Sequence, residues 1–303
     1  MKTVVAFGES LLDIIYDPLC IIPGGSVLNC AVSLARSGVS VQLMTEFADD
    51  GPGKILKGFL ERENIGLKYS CIYHGAKTSL AFAVLDDQAK ASYTFYKYFP
   101  DSRFQNLFPD LNSDSILLFG SFSSISHELN ETIIRLVEMA KSAGSLVFYD
   151  PNYRSSATDL NTIIRDRLNY NFRNANIIRG SNEDFEAIFD TSVITEVWHK
   201  LQSENCKLLI ITYGSQKVEA FNQHFHLCID VPSIQVVSTI GAGDSFNAGF
   251  INALIKISES GTDGVLTRKD LVSICIGQAI RFASSVCAST LNYIPDDFSH
   301  QMI

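Results

Sequence analysis

For most of this chain short β-rich apolar runs alternate with amphipathic stretches, and between residues 67 and 98 that alternation stops. Alternation matters because a helix between two strands covers one face of a sheet and returns the chain to start the next strand in parallel. The predicted strands of this kind are Thr3–Phe7, Ser40–Thr45, Ser115–Phe119, Ser145–Tyr149, Ala175–Ile178 and Lys207–Thr212. The predicted helices fall near Ser26–Ser37, Gly53–Asn64, His127–Ala143, Thr158–Asn171 and Glu183–Phe189, with Ala242–Ile257 and Asp270–Cys287 closing the chain. Where the rhythm breaks, Leu67–Tyr73, Ala76–Leu85 and Ala91–Tyr98 read as three consecutive strands joined by turns such as Asp86-Asp87-Gln88. Hairpin-connected strands run antiparallel, so the expectation is a small separate sheet, a lid, on a mostly parallel α/β body. No long linker, repeat or low-complexity tract interrupts the chain, so residues 1–303 are expected to form one domain with the lid as an excursion from it.

Composition bounds the partners. A formal charge of −9 argues against a general nucleic-acid binder and against a basic membrane-surface protein. It does not exclude an anionic ligand, because backbone N–H groups at a helix start can hold phosphate whatever the net charge. The seven cysteines are odd in number and contain no C-x-x-C pair, which is no disulfide framework. Cys30, Cys275 and Cys287 lie in apolar helical patterns and read as buried reduced thiols. His224 and His226 read as strand residues. The apolar run at the N-terminus is too short for a signal peptide, and no stretch reads as a membrane span, so a cytoplasmic location is expected.

The chemistry concentrates in Val236-Val237-Ser238-Thr239-Ile240-Gly241-Ala242-Gly243-Asp244-Ser245-Phe246. A strand ending in a glycine-rich turn is expected to lead directly into a helix, whose first free N–H groups point at whatever sits before it. That combination suits phosphate or a developing negative charge. Gly241, Ala242 and Gly243 then form an anion hole, and Asp244 is a carboxylate placed to take a proton from an attacking hydroxyl. The competing reading, a tight turn with Asp244 as a helix cap, stays open on these residues alone. A Walker A loop is absent, since Gly53-Lys54 is followed by Ile55, and a dinucleotide fingerprint fails at Phe246.

Taken together with Pro23-Gly24-Gly25-Ser26-Val27-Leu28-Asn29-Cys30-Ala31, this segment resembles the paired signatures of the PfkB family of carbohydrate kinases, fructokinases among them. The resemblance covers essentially the whole chain. It implies a ribokinase-like three-layer α/β sandwich with a mostly parallel central sheet, and a small antiparallel β lid within about 67–98 plus a short segment near 14–22. It implies ATP-dependent phosphorylation of a free sugar, with Asp244 as base. Asp13, Gly24, Gly25 and Asn29 are then sugar contacts. Asn152 and Arg154, in Asp150-Pro151-Asn152-Tyr153-Arg154, become substrate or phosphate contacts, and Lys97 lies in the lid strand that closes over the sugar. Asn182, Thr212, Gly214 and Ser284 fall to ATP, and Glu183 to magnesium.

This chain departs from the family pattern in four places, the first being the short stretch from Tyr16 to Pro23, where a truncated lid strand is expected. Ser238 stands where the family usually has Asp, which keeps an oxygen but loses a charge, so strong dependence on a monovalent cation is not expected. Phe185 occupies the position at which an Asn-x-x-Glu pattern counted from Asn182 would place Glu. The Gly-Ala expected just after Arg281–Thr290 is missing. The leading acceptor is fructose or a related hexose at a primary hydroxyl; 2-keto-3-deoxygluconate, ribose or a nucleoside are alternatives, and so is a non-catalytic sugar-binding homologue. The aromatic lid strands also offer a face for a homodimer.

Overall fold

The structure is a computed structural model that describes residues 2–16, 19–85, 91–100, 103–104, 107–153, 160–258 and 262–298. The central sheet takes β1 (Thr3–Phe7), β4 (Ser40–Met44), β9 (Ser115–Gly120), β10 (Leu146–Asp150), β11 (Ile177–Ser181), β12 (Leu208–Tyr213), β13 (Lys217–Phe221) and β14 (His226–Asp230), in the order β14-β13-β12-β11-β10-β9-β1-β4. The six strands from β12 to β4 run parallel, and β13 and β14 complete the sheet as an antiparallel edge.

Why these strands read as unbroken apolar runs follows from what covers them. Val4 and Ala6 of β1 point into one core, Val5 and Phe7 into the other. Leu146 and Phe148 alternate with Val147 and Tyr149 in the same way, as do Leu208 and Ile210 with Leu209 and Ile211. Strands buried on both faces have no polar side to show. One core packs under α1 (Ser26–Arg36), α2 (Gly51–Arg62), α7 (Ala242–Ile257), the one-turn α8 (Asp263–Leu266) and α9 (Lys269–Cys287). The other lies under α3 (Asn130–Ser142), α4 (Thr162–Asn174), α5 (Asn182–Phe189) and α6 (Ile194–Leu201), which makes the three layers. Local chemistry starts several of these helices. Asp50 caps α2 by accepting from the Gly53 N–H at 2.9 Å, and Asn161 caps α4 by accepting from that of Ile164 at 3.0 Å. Helix α9 is 19 residues long and apolar enough to cross a membrane by length and composition; here Val272, Ile276, Ala279, Phe282 and Val286 are buried in the core it shares with α7.

The second sheet differs from expectation in composition and pairing. It is four-stranded, ordered β3-β2-β7-β8, from β2 (Leu11–Ile15), β3 (Cys20–Gly24), β7 (Lys77–Leu85) and β8 (Ala91–Tyr98). Two of its pairs are antiparallel, but β2 and β7 run parallel, because the whole of α1 and α2 lies between them in the chain. The short segment near 14–22 thus extends to two full strands over Leu11–Gly24. The stretch read as a first lid strand is not in this sheet. Only Cys71–Tyr73 (β6) is extended, and it pairs with Glu46–Ala48 (β5), the Cys71 N–H donating to the Thr45 carbonyl at 2.8 Å. The turn at Asp86–Gln88 lies outside the described residues. Three residues, Gly8 to Ser10, join β1 of the central sheet to β2 of the lid. His226 opens β14, while His224 sits in the turn before it.

Candidate active site

Helix α7 begins at Gly241, whose φ of +78° is in the left-handed region. A Cβ there would lie 1.9 Å from the Asn292 carbonyl oxygen, so only glycine fits this entry. The residues before it, 231–239, form no strand, against the expectation. Val236 and Val237 carry β-branched side chains, yet both are more than half exposed and find no strand to pair with. The Ala242 N–H donates to the Thr239 carbonyl at 3.3 Å, a long bond that closes the turn.

Asp244 follows in the first turn of α7 and is 9% exposed. Its carboxylate is gripped from across the fold by the start of α1. The Ser26 hydroxyl donates to Oδ1 at 2.6 Å and the Asn29 amide to Oδ2 at 2.8 Å. Two helix starts therefore face each other with a buried carboxylate between them, where both macrodipoles favour negative charge. The Asn29 Oδ1 is buried without a partner, an acceptor left over at the same place. Next to it the Cys30 thiol is pushed well up by burial and by the charges of Asp244 and Asp150, which keeps it protonated.

The other expected sugar-side residues gather beside this pair of helices. Asp13 on β2 pairs with Ile22 of β3, and its carboxylate reaches diagonally to Gly24, so close that a Cβ on Gly24 would come within 2.1 Å of the Asp13 Oδ2. Gly25 follows with φ +120° and opens α1. Lys97, on edge strand β8, donates to Glu9 Oε1 at 2.8 Å, tying the far edge of the lid to the three-residue link after β1. Asn152 takes φ +37° after β10, and its N–H donates to Asp150 Oδ1 at 3.0 Å. Arg154 lies outside the described residues.

On the opposite side of the α7 start is a cleft of about 630 Å³, in the size range of small-molecule sites. Asn182, Glu183, Thr212, Gly214 and Ser284 all line it, together with Ala242 and Gly243. Cys287 lines it too and is only half-buried, so the expected burial of that thiol does not hold. Ser238 is turned to its own loop, its Oγ accepting from the Ile240 N–H at 3.2 Å.

Beneath the cleft Asp150 and Thr212 join a buried polar cluster whose other members, Arg179 and Asn247, no sequence motif signals. Asp150 Oδ2 accepts from Arg179 at 2.9 Å and from Asn247 of α7 at 2.6 Å, and Arg179 also donates to the Thr212 hydroxyl at 2.7 Å. The cluster clamps the ends of β10, β11 and β12 to the first turns of α7. Asp184 lies close by, its carboxyl raised chiefly by burial and then by the charge of Asp150. It forms a capping box with Ser181, accepting from the Ser181 N–H and hydroxyl at 2.7 and 2.6 Å. Phe185 is fully buried against Phe189, which is why no acid could stand there; the acid of this turn that faces inward is one residue earlier, at Asp184. The Ser-x-x-Asp spacing was the available signal. Among the described residues no group of three or more His, Cys, Asp or Glu is arranged to hold a metal ion. Glu183 is the one carboxylate among the cleft's described lining residues, the oxygen chemistry that a magnesium ion carried in on nucleotide phosphates would use beside its waters.

The model of the pfkB family carbohydrate kinases matches residues 19–290. The chain belongs to that family. Fructokinase-1 of Zea mays is 28% identical over 305 residues, spanning 95% of this chain and 91% of that protein. Among solved structures, the fructokinase of Xylella fastidiosa with bound ATP superposes with a TM-score of 0.84 at 22% identity, covering 97% of this chain and 95% of that one. The aminoimidazole riboside kinase of Salmonella enterica, complexed with aminoimidazole riboside and an ATP analogue, also gives 0.84, at 18% identity and 99% coverage of both chains. The fold is ribokinase-like, and the enzyme is a carbohydrate kinase, transferring phosphate to a sugar hydroxyl.

Proposed function

We propose that this kinase phosphorylates a free hexose, fructose or a close relative, at a primary hydroxyl with ATP. The observation that carries the reading is the buried Asp244 carboxylate, held by Ser26 and Asn29 at the start of α7 with the cleft on its other side. An incoming sugar hydroxyl takes the place of Ser26 on Oδ1, while Asn29 keeps the other oxygen and offers its spare carbonyl to a second hydroxyl. The hydroxyl oxygen attacks the terminal phosphorus, the bond to the bridging oxygen of ADP breaks, and the proton passes to Asp244. Charge gathering on the transferred group is met by the helix-start N–H groups around Gly241 to Gly243.

In this reading Asp13, Gly24 and Gly25 hold the sugar from the lid side, Asn152 and Arg154 are further substrate or phosphate contacts, and Lys97 closes the lid edge. Asn182, Thr212, Gly214 and Ser284 line the ATP cleft, and Glu183, on the same wall, would be the carboxylate offered to magnesium brought in with the phosphates. The commitment of Ser238 to Ile240 supports activity without strong monovalent-cation dependence. Exposed Tyr96, Tyr98 and Ile21 on the lid support a homodimer through that sheet, and seven free cysteines suit the cytoplasm.

A panel of acceptors with ATP tests the substrate: fructose should give the highest kcat/KM, and a higher value for 2-keto-3-deoxygluconate, ribose or a nucleoside would reassign it. Sugar binding with no ADP release across the panel would leave a binding protein instead. Asp244→Asn should lower kcat by about 10²-fold or more while both substrates still bind. Turnover near wild type in that variant refutes the assignment of the base.

A further inference from the structure

We propose that Arg179 is the group through which the cleft recognises the phosphates of its nucleotide, an inference that rests on reading the cleft as the ATP site. Among the described residues that line the cleft, Arg179 is the one cation and Glu183 the one anion. A helix start offers roughly half a positive charge. Without Arg179 a polyphosphate would meet no full positive charge among the described residues that line the cleft, in a protein that carries −9 overall.

The placement of the guanidinium suits that task. Arg179 is 7% exposed and lies against the glycine turn, since a Cβ on Gly243 would be 2.9 Å from Nη1 and 3.2 Å from Nη2. It thus backs the same backbone that opens α7. Its orientation is set in advance: Nη1 is fixed on Asp150, Nη2 on Thr212, and Asp150 is itself held by the Asn247 amide and the Asn152 N–H. Phe246 carries the flat face, with the guanidinium carbon 5.4 Å from its ring centre. Nε is buried with no hydrogen-bond partner. A guanidinium has five N–H groups and the bonds to Asp150 and Thr212 use two of them, so the N–H groups left on Nη1 and Nη2 beside Gly243 suit a phosphate oxygen in the cleft. The pair with Asp150 offsets part of the charge; what remains is a preset geometry in a site shielded from water, where a charge acts more strongly.

A purely structural role, bracing the ends of β10, β11 and β12, predicts a different result from a phosphate contact. Calorimetric titration of ATP, ADP, AMP and adenosine into wild type, Arg179→Gln and Arg179→Lys separates the two. The Gln variant should weaken ATP by about 30-fold or more and adenosine by less than about 3-fold, with ADP and AMP between. The Lys variant keeps the charge and loses the fork, so its ATP loss should be smaller, about 5-fold. Equal weakening of ATP and adenosine, or ATP affinity unchanged, overturns the inference. If Arg179→Gln does not fold, the Lys variant decides: an ATP-to-adenosine affinity ratio equal to that of wild type overturns it. Wild type that binds none of the four nucleotides sinks the reading of the cleft and this inference with it, whereas wild type that binds them with Arg179 variants unchanged sinks this inference alone.

Discussion

Replacing Gly24 by Ala separates the fold from the site in one substitution. The new Cβ would stand 2.1 Å from Asp13 Oδ2, whereas ordinary contact begins at 3.4 Å, so that oxygen must retreat by about 1.3 Å. The displaced atom is at the far end of a side chain, and Gly24 has no positive φ, so the backbone need not move. The stability change should stay near 1 kcal/mol, a Tm shift of about 4 °C or less. Function should suffer more. A misplacement of about 1 Å in a positioning group costs about 10²-fold, so kcat/KM for the sugar should fall by that factor while ATP affinity holds. The cause can be isolated by repeating the change in an Asp13→Ala background, where no carboxylate remains to be pushed. There Gly24→Ala should lower kcat/KM by less than about 3-fold, a large departure from additivity between residues in contact. Steady-state kinetics on the four proteins of this cycle give the answer. Equal losses in both backgrounds would refute the argument, since the harm would then come from the alanine itself and not through Asp13. Gly25→Ala makes a useful contrast. At φ +120°, with the Glu9 carbonyl oxygen 2.4 Å from its Cβ, it should destabilise the protein outright.

Three further outcomes are expected. Exchanging potassium for a large organic cation at constant ionic strength should change kcat by less than about 3-fold, because Ser238 brings no charge to the loop before α7; activation by more than about 10-fold would overturn this. Wild type should run as the proposed lid-mediated dimer in size-exclusion with light scattering, and Tyr96→Asp with Tyr98→Asp should shift it to monomer, since buried unpaired carboxylates are costly at an interface; a monomeric wild type refutes the dimer, and an unchanged dimer moves the interface elsewhere. Asp184 has a carboxyl raised above its ordinary value, so the folded state holds that proton more tightly than the unfolded chain. As pH rises from the ordinary carboxylate range through the raised value the protein loses stability, and Asp184→Asn escapes that loss. Its Tm relative to wild type should therefore be higher at pH 7.5 than at pH 4, by differential scanning calorimetry, and an equal offset at both values would contradict the cause given.

Some of this molecule could be read from its residues and some could not, for physical reasons. The parallel strands were legible because double burial writes itself as uninterrupted apolar runs, and the α7 start because Gly241 has a backbone angle that side chains resist. Residues 236–238 deceived for the same reason that valine is ambiguous: branched side chains favour extended backbone, but a strand also needs a neighbour. Strands β5 and β6 are three residues each, too short to show a period, and they pair across the whole of α2, which no local pattern reveals. Asp150, Arg179 and Asn247 come from distant parts of the chain and meet only when the sheet forms, so no local pattern announces them. Ser26 was in plain view inside the Gly24-Gly25 motif, yet its bond to Asp244 depends on how α1 and α7 face each other.

The alternation of each strand between two cores carries a thermodynamic meaning. Val4 and Val5 are chain neighbours that belong to different hydrophobic bodies, and the same holds along β10 and β12. Loosening either body releases the strands on which the other depends. The central sheet with its two helical coats should melt as one cooperative unit, with uniformly slow amide exchange in β1, β9, β10, β11 and β12. The lid strands, half open to water, should exchange orders of magnitude faster, and the Gly8–Ser10 link marks where the two regimes meet.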